Sequence, residues 1–387
     1  MNVPRSTVLI AAAAAATLGI AGCSSTSESV DSSGTNAANK ATAPTPGQEI
    51  NNVVYFGNPA TELPTLANYK IKGTGTAADG TNFVDTVVLF AANIDDVNGK
   101  PAPPPAPQPP TSAQDPLLVM SEFTNSTAGA ATVPADPTVL AGVNALHAAG
   151  IKVLLGVLPN HYETGWSCPG MTSTAQQSLA NQLATVTAAN STSNPSGYGF
   201  DGISIDDEYS ECPSGNELPG GDVGVITGIL TSLKANPQFA GKTINKSLYS
   251  DTNMFPPASS KQPNLAPLLN TAWTETYPGY SADLSTYLLA GVQRQNLGRG
   301  EVVPIPPATP PGNLTTTGKA VASDGLKYMM IYGGDEYTPA DSPSGTPPTP
   351  YTPAQRAAFY TSVVQGTFNS SSASVTYNPP ASPKKKS

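Results

Sequence analysis

The chain has only 2 histidines and 3 cysteines among 387 residues. The histidines, His147 and His161, are too few for the usual nitrogen and sulfur ligand sets of a zinc centre, so neither a metal nor another cofactor is expected. Charge is scarce as well. Charged side chains make up 12% of the residues, 18 basic against 27 acidic, for a formal net charge of -9. Nucleic-acid binding requires a concentrated basic face, and no nucleic-acid partner is expected. The run Lys384 to Lys386 is short and terminal and reads as a solvated end. No period of fixed length repeats along the chain, which excludes propellers and solenoids.

What is present begins with an export pattern. Arg5 supplies a positive start, Val8 to Ile20 is an alanine-rich apolar run, and Ile20-Ala21-Gly22-Cys23 follows. The run is short for a bilayer core, which needs roughly 20 residues. Small residues ending in cysteine resemble a bacterial lipobox, which implies cleavage before Cys23 and acylation of its thiol. Residues 1–22 are therefore read as a lipoprotein signal peptide, and the protein as exported and anchored by lipid at Cys23 to the bacterial cell envelope. Residues 23–50, rich in Ser, Thr, Ala and Pro, read as a disordered tether holding the domain on the order of 30 Å from the lipid. With Cys23 acylated, Cys168 and Cys212 remain as an even pair in an oxidising compartment, where a disulfide is the expected state.

The remaining core alternates short apolar strands with helical stretches. Strands are read at Val53 to Phe56, Thr86 to Asn93, Ile151 to Leu158, Phe200 to Glu208, Thr243 to Tyr249, Asn270 to Tyr277, Glu301 to Ile305 and Leu326 to Tyr332. Asp136-Pro137 starts one helix and Gly150 stops it, and further helices are read at Ser173 to Ala189, Val223 to Ala235 and Pro353 to Val364. Eight such units predict a single α/β domain, a TIM-type (β/α)8 barrel over residues 51–370, with some outer helices missing after strands five to seven. The mostly proline segment Lys100 to Pro110 must be a loop, and residues 371–387 read as a disordered tail. A monomer is expected.

The fourth strand carries the chemistry. In Phe200-Asp201-Gly202-Ile203-Ser204-Ile205-Asp206-Asp207-Glu208-Tyr209, side chains alternate faces with period two. Ile203 and Ile205 face the outer helices, so Ser204, Asp206 and Glu208 point into the barrel, with Glu208 at the C-terminal end where barrel enzymes place their sites. Two carboxylates at i and i+2 disfavour joint ionisation, which keeps a proton available for general acid catalysis. A solvated acidic turn closing a strand is the bland alternative.

Asp201-Gly202-x-x-x-Asp206-x-Glu208 resembles the strand-four signature DGxDxDxE of glycoside hydrolase family 18. The variant Asp206-Asp207-Glu208-Tyr209 is similar to its endoglycosidase H branch, as are Val88-Leu89-Phe90-Ala91-Ala92-Asn93-Ile94 and the run from Gly150 through Leu155 to Asn160-His161. The resemblance spans roughly residues 51 to 370. It implies that Glu208 is the proton donor, that Asp206 orients and stabilises the substrate's acetamido group, and that Tyr277 hydrogen-bonds the acetamido carbonyl. Two departures stand out. Ser204 replaces the motif's middle Asp, which should ease ionisation of Asp206, and Gly156 and Pro159 interrupt the family's Ser-x-x-Gly on strand three.

Asn93, His161, Ser204, Tyr249, Trp273 and Tyr332 lie at or near strand ends and are candidates for contacting sugar, although His161 and Trp273 serve equally well as structural residues. Asp251, Asp335 and Glu336 lie near similar ends without a reason to choose among them, and His147 reads as structural. The resemblance implies an endo-β-N-acetylglucosaminidase that hydrolyses the GlcNAc-β1,4-GlcNAc core of N-linked glycans. Catalysis would be substrate-assisted and retaining, through an oxazolinium intermediate. The alternatives are a chitinase, disfavoured because few aromatic residues flank the strand ends, and a non-catalytic glycan-binding protein on the same fold, disfavoured because the acid Glu208 is present.

Overall fold

The computed structural model describes residues 50–57, 60–96, 116–120, 123, 128–159, 164–208, 212, 221–249, 251–303, 312–333 and 351–379. Cys23, the tether, the Lys100 to Pro110 loop, His161, Asp335 and Glu336 lie outside them.

Eight parallel strands close into a barrel. In order around it they are β1 (Asn51–Phe56), β3 (Thr86–Asp96), β5 (Lys152–Pro159), β6 (Gly202–Ile205), β7 (Thr243–Leu248), β8 (Thr271–Thr274), β9 (Leu297–Val302) and β10 (Tyr328–Tyr332), which pairs back to β1. β4 (Pro116–Val119) runs antiparallel to the upper end of β3. The alternation of side chains builds two apolar layers. Val87, Leu155, Ile203, Ile205 and Ile331 face outward and pack with helix residues such as Val143, Leu183 and Ile229, while Val53, Tyr55, Val88, Phe90, Leu154, Trp273 and Met330 fill the inside.

Local chemistry fixes the strand that matters most. A Cβ on Gly202 would sit 1.9 Å from the carbonyl oxygen of Thr243, so only glycine lets β6 lie this close to β7. The carboxylate of Asp201 accepts the backbone N–H of Val153 at 2.7 Å and faces His147 Nε2 at 3.0 Å. The motif's first residues thus tie β6 to β5 and to the helix Pro137–Ala148, which Asp136 caps by accepting from the N–H groups of Thr138 and Val139.

The outer ring is uneven. Among the described residues, after β7 there are only the 3-10 turns Thr252–Met254 and Ala266–Leu268, and after β8 a single five-residue helix, Ser285–Leu289, with further 3-10 turns. After β9 the structure has the full helix Gly312–Ser323, so the outer helices that are missing are those after the fifth and sixth barrel strands. Two other expectations are corrected. The seventh barrel strand begins at Leu297, four residues before the expected start, because Leu297-Gly298-Arg299-Gly300 does not read as an apolar run although its residues are buried. Residues 371–387 are not all tail: β11 (Ser374–Tyr377) pairs antiparallel with β2 (Tyr69–Lys72), and Val375 is buried beneath the sheet.

Candidate active site

The C-terminal mouth of the barrel gathers three carboxylates. Asp206 follows β6 directly and is buried, Glu208 is half-buried two residues on, and Glu275 follows β8 from across the mouth. One carboxylate oxygen of each lies within 4.8 Å of the others. Burial is the largest force raising the Asp206 carboxyl well above the usual range, and the charges of Glu275 and Glu208 add to it.

Burial also pushes Glu275 up to about 7, with Glu208 adding to the rise while a hydrogen bond from Ser247 and the nearby ammonium of Lys246 oppose it. Lys246 is a charged side chain that is wholly enclosed, its Nζ 2.7 Å from Asp251 and 2.9 Å from the carbonyl of Ser247. Burial alone would lower it, but Asp251, Asp207 and Asp206 outweigh that and hold it charged. The three mouth carboxylates are spaced closely enough to hold a divalent cation, and the ammonium of Lys246 acts on Asp206 and Glu275 beside them.

Beneath the carboxylates lies a polar floor. Tyr55 Oη is 3.1 Å from Ser204 Oγ and 2.7 Å from Ser247 Oγ, and it accepts Trp273 Nε1–H at 3.0 Å. Ser204 donates to Asn245 Oδ1 at 2.7 Å, and Asn245 donates to Thr271 at 3.0 Å. Ser204 and Trp273 were expected to contact sugar, but each is 1% exposed. They support the site from below, because Tyr55 occupies the barrel axis and engages both.

The other candidates fall around this floor. Tyr277 is half-buried, and burial followed by the charge of Glu275 raises its phenol well above the ordinary value. Tyr332 ends β10 and packs edge-on against Tyr55, ring centroids 6.0 Å apart. Tyr249 follows β7 and is half-buried. Asn93 is buried and donates to the carbonyl of Leu158 at 3.4 Å. Cys168 and Cys212 are joined in a disulfide with Cα atoms 5.2 Å apart, clasping the loops that follow β5 and β6.

Sequence reasoning did not single out Tyr55, Lys246 or Glu275. For Glu275 a signal existed. Trp273, Glu275 and Tyr277 alternate along one strand and its extension, and that parity puts all three on the same inward face.

No family model matches the chain. Over 277 residues it is 28% identical to an endo-beta-N-acetylglucosaminidase of Flavobacterium sp. (strain SK1022), covering 70% of this chain and 71% of that protein. Among solved structures, it is similar to a GH18 chitinase from Pseudoalteromonas aurantia, with 14% identity, 73% of this chain and 93% of that one covered, and a TM-score of 0.41. A chitinase from Rhizomucor miehei is comparably distant, with 14% identity, 76% and 96% covered, and a TM-score of 0.42. The signature on β6 and the closed barrel that carries it resemble those of glycoside hydrolase family 18, and the curated relative that the chain matches over 70% of its length is an endo-beta-N-acetylglucosaminidase.

Proposed function

We propose that the protein is an endo-β-N-acetylglucosaminidase that hydrolyses the GlcNAc-β1,4-GlcNAc core of N-linked glycans with retention. The observation that carries this reading is the pairing of Asp206 and Glu208 at the C-terminal mouth, with carboxylate oxygens within 4.8 Å of one another. In such a site the substrate supplies its own nucleophile. The 2-acetamido oxygen attacks C1 as Glu208 gives its proton to the leaving oxygen, and Tyr277 hydrogen-bonds the acetamido group. Asp206 stabilises the positive charge of the oxazolinium, a role that a buried carboxylate fulfils strongly because water does not screen it. Glu208, now a base, activates the water that reopens the ring.

The curated relative is an endo-beta-N-acetylglucosaminidase, and this supports cleavage within a chain at an N-acetylglucosamine linkage. The protein acts as a monomer, exported and held at the cell envelope through Cys23. The reading is tested by incubating it with glycoproteins carrying defined high-mannose, hybrid or complex glycans and weighing the products. Release of glycans ending in one GlcNAc, with one GlcNAc left on the protein, is the expected result. Cleavage of chitin oligosaccharides without any release from glycoproteins would overturn it.

A further inference from the structure

Lys246 is a charged side chain in an apolar layer. Its register partners are Ile205 on β6 and Ala272 on β8, so by strand alternation its stem leaves the barrel on the outward face. Asp251, in the loop after β7, meets it there, with Oδ2 2.7 Å from the ammonium. Tyr287 donates to the other oxygen of Asp251 at 3.2 Å and packs edge-on against Phe255. Lys246 and Asp251 are both 0% exposed. A pair so enclosed adds little to stability, because taking two charges out of water costs about as much as their attraction returns. What it changes is the potential at the mouth.

The ammonium stands behind the carboxylate that the reaction needs in its charged form. Ile205, the register partner of Lys246, directly precedes Asp206, and paired strands lie only about 5 Å apart. The ammonium also donates to the carbonyl of Ser247 at 2.9 Å, and the hydroxyl of Ser247 belongs to the floor beneath the mouth. Asp206 is buried as well, so little water screens the attraction between the two. Among the described residues no hydrogen-bond donor reaches the side chain of Asp206. A buried charge without such a donor depends on an opposite charge nearby.

We propose that Lys246 is a positioning residue of this active site: held by Asp251 behind the end of β6, its ammonium keeps Asp206 in the carboxylate form while the oxazolinium develops. The groups around it agree. Asp206, Asp207 and Glu208 come from the end of β6, Asp251 from the loop after β7 with Tyr287 behind it, and Glu275 and Tyr277 from the segment after β8. Glu275, Glu208 and Asp207 oppose the charge on Asp206, and Lys246 favours it.

This inference rests on Asp206 and Glu208 being the reacting groups. Lys246→Met combined with Asp251→Asn removes both charges and leaves neither buried alone. The acid limb of its kcat profile should move up by about one pH unit, so that activity at a given pH on that limb falls about tenfold. Asp251→Asn by itself keeps the ammonium and neutralises it less, and its acid limb should stay or move to lower pH. An acid limb that does not rise in the double variant would overturn the proposal. So would a rise in Asp251→Asn, because a pair that only holds the fold together is broken equally from either side. Each variant decides by itself, so the test stands if the other does not fold. A second measurement needs no substrate. In carbon-13 spectra, the aspartate carboxyl that vanishes in Asp206→Asn should titrate about one pH unit higher in the double variant than in the unaltered protein. An unmoved titration overturns the proposal whatever glycan the protein cleaves. Hydrolysis that survives in Glu208→Gln refutes instead the assignment of the acid, so the two failures are separable.

Discussion

The hydroxyl of Ser167 lies 2.8 and 3.1 Å from the two carboxylate oxygens of Asp207. Ser167 directly precedes the half-cystine Cys168, and Asp207 directly precedes Glu208. The loop after β5 is thus fastened to the segment bearing the acid on both sides, by this hydrogen bond before Glu208 and by the Cys168–Cys212 disulfide after it.

Cys168→Ala with Cys212→Ala should lower stability by roughly 4 kcal/mol in the chain-entropy model, for a sequence separation of 44 residues. It should also lower kcat more than it raises KM, since the acid loses its clasp. Denaturant unfolding and steady-state kinetics check this. Stability equal to that of the intact protein would show that the bridge constrains nothing.

The carboxylates on β6 have separable tasks. Glu208→Gln should slow N-glycan hydrolysis by at least 100-fold, the scale of losing a general acid, while glycan binding survives. Asp206→Asn should also slow hydrolysis, yet it leaves Glu208 able to activate a sugar hydroxyl, so transfer of a supplied glycan oxazoline to a GlcNAc acceptor should persist. Product analysis by mass spectrometry separates the two. Equal loss of transfer in both variants would refute the role given to Asp206.

Stability should fall as the solution becomes less acidic. Asp206 and Glu275 both bind protons more tightly in the folded protein than in the unfolded chain. The folded state therefore holds more protons from the unfolded value near 4 upward, stability declines as the pH rises, and the share of Glu275 in that decline ends above its folded value of about 7. Glu275→Gln should remove part of this decline, on the order of 2 kcal/mol. Denaturant midpoints at pH 5 and pH 8 measure it, and an equal drop in both proteins would contradict the assignment.

Cys23→Ala tests the anchor that the first residues suggest. The variant should accumulate as unprocessed precursor or appear in the soluble fraction. A mature species that still sediments with membranes would mean that something other than a lipid on Cys23 holds the protein there.

The sequence was readable where chemistry and periodicity agree. Ile203 and Ile205 are apolar and Ser204 and Asp206 polar, so the faces of β6 follow from alternation alone, and the structure keeps that division. It was least readable where a residue's environment is assembled from distant segments. Lys246 is the kind of residue that ordinarily faces solvent, and its enclosure depends on Asp251 lying 2.7 Å away. Arg299 likewise concealed the start of β9. Its guanidinium reaches the carboxylate of Asp324 at 2.7 Å and donates to the carbonyls of Gly279 and Ala282, contacts that no local pattern announces.

Asn245 gives the floor its direction. Every oxygen in the row from Ser204 through Tyr55 to Ser247 is a hydroxyl that can give or receive, so the row has no polarity of its own. The amide at its far end has distinct nitrogen and oxygen sides and imposes one. Turning that amide over would offer hydrogen to Ser204 and reverse each hydroxyl in sequence, so that Tyr55 would give its proton to Ser247. The heavy atoms would hardly move. A side chain buried on β7 therefore sets the direction of hydrogen bonds that reach Tyr55 on β1 and Ser247 on its own strand, and the barrel interior has two orientations of one arrangement of atoms.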